Sequence, residues 1–143
     1  ADLDGIVAFV QNFSRRWQKD QFYAEPIAMP DVPDWMGDKA KRAAHRADGK
    51  VLFARTCASC HGEGGKGDGV AAKGLKDVWE RPIAPADLTQ PHHKSGDRPE
   101  DLYRSIATGL DGTPMIGFLG ALKPGQIWDL VACIRSLGAA DDG

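Results

Sequence analysis

The chain has 143 residues, 42% of them hydrophobic, with 17 glycines, 9 prolines and a formal charge of −2. Its length fits one ordinary domain, and its Gly and Pro content favours short helices joined by loops over a large sheet. The near-neutral charge leaves no footprint for nucleic acid, and no apolar run reaches the roughly 18 residues a membrane helix needs.

The first residues, Ala1-Asp2-Leu3-Asp4, are acidic and lack a basic stretch, so no signal peptide is expected. Either one was removed or the chain begins inside a longer protein. Leu3, Ile6, Val7, Val10 and Phe13 recur at helical spacing and predict a first helix. The same pattern returns near the C-terminus. Leu3, Ile6, Val7, Ala8, Val10 and Phe13 align with Ile127, Leu130, Val131, Ala132, Ile134 and Leu137, and Ser14 with Gly138. This weak repeat reads as residues 1–18 being the end of a preceding, similar domain.

Residues 19–47 read as a connector, broken by Pro26, Pro30 and Pro33, with Trp35 and Met36 isolated among polar neighbours. The charged run 39–46 reads as solvated. From Asp48, an expected N-cap, a helix with Val51, Leu52 and Ala54 inward leads into Cys57-Ala58-Ser59-Cys60-His61. Residues 62–69 hold five glycines and must turn tightly. One helical turn is expected over 70–75 and an extended stretch over 81–90. A helix follows over 98–110, with Pro99 at its first position and Leu102, Ile106 and Leu110 buried. A loop carries Thr113-Pro114-Met115, and a last helix spans 124–137. No strand is expected.

Cys-x-x-Cys-His is the attachment sequence of a covalent haem. Thiols at Cys57 and Cys60 on one helical turn reach the two vinyl groups at a porphyrin edge, and His61 follows as an axial ligand of the iron. A zinc site would need four ligands, and Cys133, His92 and His93 offer no zinc spacing. A thioredoxin-like pair would need a strand before Cys57. Three cysteines, with Cys133 alone in a helical pattern, do not make a disulfide framework. Cys133 reads as a small buried or interfacial thiol.

An electron carrier needs a second axial ligand, and Met115 is expected to supply it. Pro114 fixes the backbone before it, and a soft thioether suits reduced iron. Met29, Met36, His92, His93 or an open sixth site are the alternatives, as is a gap-filling core role for Met115. His92-His93-Lys94 reads mainly as a solvated loop that could bind a metal or a propionate. Tyr103 fits either core packing or the haem pocket.

Over residues 48–138 the sequence resembles the class I cytochrome c family. The resemblance rests on Gly49-Lys-Val-Leu-Phe53, Cys57-Ala-Ser-Cys-His61-Gly, Gly67-Asp-Gly69, Thr108-Gly-Leu-Asp-Gly-Thr-Pro-Met115 and Ile127-Trp-Asp-Leu-Val131. It implies an all-α fold of short helices around one covalent haem c, with residues 48–143 as the haem domain. It implies that Gly49 and Phe53 pack against Trp128 where the first and last helices of that domain cross, with glycine allowing close approach. It also implies that Trp79 and Arg81 hydrogen-bond the haem propionates, though a packing tryptophan and a surface arginine would look the same. The family often has a proline at the place of Val70, whose carbonyl accepts the N–H of the haem-binding histidine. Here Val70 would supply that carbonyl.

More narrowly, the helix near the N-terminus, the proline-containing connector and Ala84-Pro-Ala-Asp-Leu-Thr89 resemble the C-terminal half of bacterial dihaem cytochromes. The function implied is single-electron transfer as a carrier or relay, rather than enzymatic turnover. A haem enzyme or gas sensor with a displaceable sixth ligand is the alternative. Redox proteins docking at the haem edge, or a fused preceding haem domain, are the expected partners. Haem attachment of this kind occurs outside the bacterial cytoplasm, so the periplasm or the outer face of a membrane is the implied location.

Overall fold

The computed structural model describes residues 2–13 and 27–138. Ser14 and Pro26 lie outside the described residues, as do parts of both expected N-terminal segments. Five α-helices follow in order: α1 (Leu3–Gln11), α2 (Lys39–Thr56), α3 (Ala58–His61), α4 (Pro99–Thr108) and α5 (Pro124–Arg135). Short 3₁₀ turns cover Asp34–Gly37 and Val70–Ala72. Among the described residues there is no strand, only isolated bridges such as Lys76 with Pro82 and Gly109 with Ile116. The all-α expectation therefore holds.

The charged run before Asp48 is helical, contrary to the solvated segment expected. Its alanines are strong helix formers, and Asp38, not Asp48, caps the helix. The Asp38 carboxylate accepts the N–H groups of Ala40 at 3.0 Å and Lys41 at 3.1 Å. Tertiary contacts hold this first half in place. The Trp35 ring stacks on His45 at 3.7 Å between centroids. His45 Nδ1–H donates to Asp129 of α5 at 2.7 Å, and Arg42 Nη1 donates to the Met36 carbonyl at 2.8 Å. So Met36, expected to be isolated, sits in the core. The inward face of α2 is Gly49 and Phe53, flanked by Leu52, whereas Val51 and Ala54 face outward.

The crossing of α2 and α5 is the centre of the molecule. Ile127, Leu130 and Val131 are fully buried there, each adding about 1.5–3 kcal/mol of burial. Gly49 lies against the Asp129 carbonyl and the Cys133 side chain. Trp128, in the same core cluster as Phe53, packs on Tyr103 of α4, ring centroids 4.5 Å apart. Tyr103 is thus a core residue, and burial pushes its phenol up in pKa. Cys133 is buried, and burial pushes its thiol up to about 11, which disfavours the thiolate.

Two further details depart from expectation. α4 stops at Thr108 because Gly109 takes a left-handed φ of 71°. Leu110 is therefore in a loop and 41% exposed rather than buried on the helix. α1 has no buried residue, although its apolar stripe matches that of α5. No described helix is long and apolar enough to cross a membrane.

Candidate haem site

α2 runs almost directly into the candidate site. The Cys57 N–H closes α2 on the Phe53 carbonyl at 2.9 Å. α3 then winds one turn, with the N–H groups of Cys60 and His61 both donating to the Cys57 carbonyl, at 3.2 and 2.9 Å. Residues three and four apart in a helix share a face, so this turn brings Cys57, Cys60 and His61 together. Both thiols are free and half-buried. Burial raises the Cys57 thiol above its ordinary pKa, opposed in part by the Thr56 hydroxyl 3.3 Å from its sulfur.

His61 Nδ1–H donates to the Ala86 carbonyl at 3.1 Å. A carbonyl only accepts, so the proton of the neutral imidazole is on Nδ1 and the Nε2 lone pair is left for a metal. This corrects the expectation for Val70, which is 90% exposed in its 3₁₀ turn. The acceptor lies instead in Ala84-Pro-Ala-Asp-Leu-Thr89. Those residues had been singled out, but not for this role.

The glycine loop explains how Ala86 reaches His61. Gly67 and Gly69 donate back to the carbonyls of His61 and Cys60 at 2.8 and 3.1 Å, and Leu88 N–H donates to Gly65 at 2.7 Å. Gly67 has φ +78°, and a Cβ there would meet the Pro85 carbonyl at 2.6 Å. The loop is thus a glycine-thin layer between the Cys57–His61 turn and residues 85–88, with Leu88 buried beneath.

Met115 is half-buried in the loop after α4. Its N–H donates to Thr113 Oγ1 at 3.2 Å, and the Thr113 hydroxyl donates to the Leu110 carbonyl at 2.8 Å. The Leu110 N–H donates to the Met115 carbonyl at 3.0 Å. The alternatives fare differently. Met36 is 4% exposed in the helix-crossing core, and Met29 packs against the same core.

Trp79 and Arg81 are both exposed, with the guanidinium 5.9 Å from the indole centroid. Their loop meets the methionine loop directly, since Val78 N–H donates to the Gly112 carbonyl at 3.0 Å.

His92 and His93 are not alike, and the solvated reading fails for the second. His92 is 86% exposed in its side chain and His93 only 14%. Both rings turn Nδ1 toward Asp97, at 2.9 and 3.2 Å, and the His93 N–H also donates to it. Among the described residues no His, Cys, Asp or Glu cluster is arranged to hold a metal ion. These bonds, that from His92 first, hold the Asp97 carboxyl down from 3.8 to about 2. A depressed carboxylate stabilises the fold above the unfolded value and loses that contribution as pH falls through the folded one. Asp97→Asn is therefore expected to flatten the fall in thermal midpoint between about pH 4 and about pH 2. Equal slopes in the two proteins would refute this.

Two free thiols on one turn and an imidazole with Nε2 available are the donor set that covalent haem requires. The comparisons with known proteins agree. The cytochrome c family model matches residues 46–138, so the chain belongs to the cytochrome c family. Its cofactor is one covalently bound haem c, and its activity is haem-based electron transfer. The chain is 34% identical over 105 residues to the cbb3-type cytochrome c oxidase subunit FixP of Azorhizobium caulinodans, covering 68% of this chain and 31% of that protein. It thus spans about a third of that relative's length. A chain of the reducing HAO-like protein complex of Kuenenia stuttgartiensis superposes with a TM-score of 0.72 at 29% identity, covering 93% of this chain and 58% of that one. Cytochrome cL of Methylophaga aminisulfidivorans shares the fold, with a TM-score of 0.55 at 19% identity over 83% of this chain and 77% of that one.

Proposed function

We propose that Cys57 and Cys60 hold the haem by thioether bonds, that His61 Nε2 and the Met115 thioether are its axial ligands, and that the domain relays single electrons. When bound, the haem supplies a one-electron iron couple. The chain's own residues do the rest. Each thiol adds its S–H across one vinyl group. The Ala86 carbonyl holds the His61 proton on Nδ1, which fixes the ring and raises the basicity of Nε2. Pro114 and Thr113 constrain the Met115 backbone. The single observation that carries the reading is the His61–Ala86 hydrogen bond, because it leaves a buttressed nitrogen free beside two free thiols.

In the same reading Trp79 and Arg81 offer donors to the haem propionates, supported by their loop's bond to the methionine loop. Residues 1–18 are the end of a preceding cytochrome domain. Supporting this, Leu3, Ile6, Val7 and Val10 are exposed while Ile127, Leu130, Val131 and Ile134 at the matching places of α5 are buried. Residues 19–47 connect the two domains, and 48–143 form the haem domain. The partner is a redox protein in a respiratory or similar chain outside the cytoplasm, docking transiently at the haem edge over less than about 1,200 Å².

The test is the near-infrared methionine–iron band of the oxidised, haem-loaded protein. The band is expected in the wild type and absent from Met115→Ala. The variant's potential is expected to be lower, within the roughly 0.8 V over which axial ligands set haem potentials. A wild type without the band would sink the Met115 assignment and favour a haem enzyme or sensor with a displaceable sixth ligand.

A further inference from the structure

Residues 76–82, which carry Trp79 and Arg81, form a knot held together at Asp77. Lys76 and Pro82 close it as an antiparallel bridge. Inside it, Asp77 Oδ1 accepts two backbone N–H groups, from Trp79 at 2.8 Å and Arg81 at 2.9 Å. The Asp77 N–H donates to the Arg81 carbonyl at 2.9 Å, and the Asp77 carbonyl accepts from Glu80 at 3.0 Å. The turn also holds Glu80 at φ 60°, a left-handed conformation that a residue with a side chain adopts only when its surroundings impose it. Asp77 takes part in four of the hydrogen bonds that close this turn.

Val78 N–H is left pointing out of the knot, and it donates to the Gly112 carbonyl at 3.0 Å. The Val78 side chain also reaches Gly112, lying 3.7 Å from where a Cβ would stand. Gly112 is at the tip of the methionine loop. The base of that loop is held by the Gly109–Ile116 bridge and by the Leu110–Met115 bond. The tip is held from outside by Val78.

We propose that Asp77 is a positioning residue for the Met115 thioether: it fixes the 76–82 knot, whose Val78 N–H pins the tip of the ligand loop. This rests on the reading of Met115 as an axial ligand. Loosening the tip lets the thioether leave the iron more often, with no change in oxidation state, because a segment with fewer anchoring bonds opens more readily.

The experiment measures the rate at which cyanide replaces the sixth ligand of the oxidised, haem-loaded protein. Asp77→Ala removes the acceptor and is expected to raise the rate about three- to tenfold, the effect of about one net hydrogen bond. Asp77→Asn keeps an acceptor oxygen in the same place and is expected to restore the wild-type rate. Val78→Pro deletes the donor to Gly112 while leaving Asp77 in place, and should match Asp77→Ala. The urea midpoint should fall in Asp77→Ala and Val78→Pro by no more than the loss of about one hydrogen bond, and should stay at the wild-type value in Asp77→Asn. An unchanged rate in Asp77→Ala overturns the inference. So does a rise in Asp77→Ala that Val78→Pro does not share, or one that Asp77→Asn does not reverse. Failure of the ligand reading looks different: wild type and Met115→Ala would then bind cyanide equally fast.

Discussion

Gly49→Ala is expected to cost the haem domain about 3 kcal/mol or more, the upper range for overpacking a filled core. Two effects compete. Alanine in a helix interior gains about 1 kcal/mol over glycine in propensity. Against that, the new methyl group would overlap the Asp129 carbonyl, and it would stand 3.0 Å from the Cys133 Cβ. The obstacle is backbone of α5, not the end of a flexible side chain, so the helices must separate. Separation would loosen Phe53, Ile127, Leu130 and Val131 together. With total stabilities of about 5–15 kcal/mol, the loss is large, and a urea titration of the haem-loaded protein measures it. A variant as stable as the wild type would show that α2 and α5 do not touch at this point.

Gly69→Ala is expected to remove most of the haem-loaded yield. Its φ of −61° suits any residue, so the obstacle is space alone. A Cβ would overlap the Ser59 carbonyl and stand 2.6 Å from that of Ala58. Both belong to the turn that carries Cys60 and His61. Either that turn shifts, moving a thiol and the imidazole, or the loop lifts and breaks the Gly69–Cys60 hydrogen bond. The neighbouring Gly64 meets nothing within 4 Å, so Gly64→Ala is the control and should stay within about 0.5 kcal/mol. Equal haem content in the two variants, read from absorbance per protein, would refute the packing argument.

Both substitutions act where the backbones of separate elements meet, and that is where the sequence was hardest to read. The 39–47 run carries helix-forming alanines and a cap at Asp38, but its charge made it read as solvated. What makes it part of the fold is the stack of Trp35 on His45 and the bond to Asp129, which join three separate segments. His93 looked like a solvated residue because nothing adjacent predicts that Asp97 would gather both rings.

The placement of Cys57, Cys60 and His61 on one turn was legible from sequence alone, because the spacing is local. The same holds for the helical character of α4 and α5 and for the constrained backbone before Met115. Which carbonyl buttresses His61 was decided only by tertiary structure. Ala86 is 25 residues away, and it arrives there because a layer of glycines lets two backbones meet. The turn from Cys57 to His61 is fixed by bonds within itself, whereas the partners that orient its imidazole and pin the methionine loop exist only once distant segments close on one another.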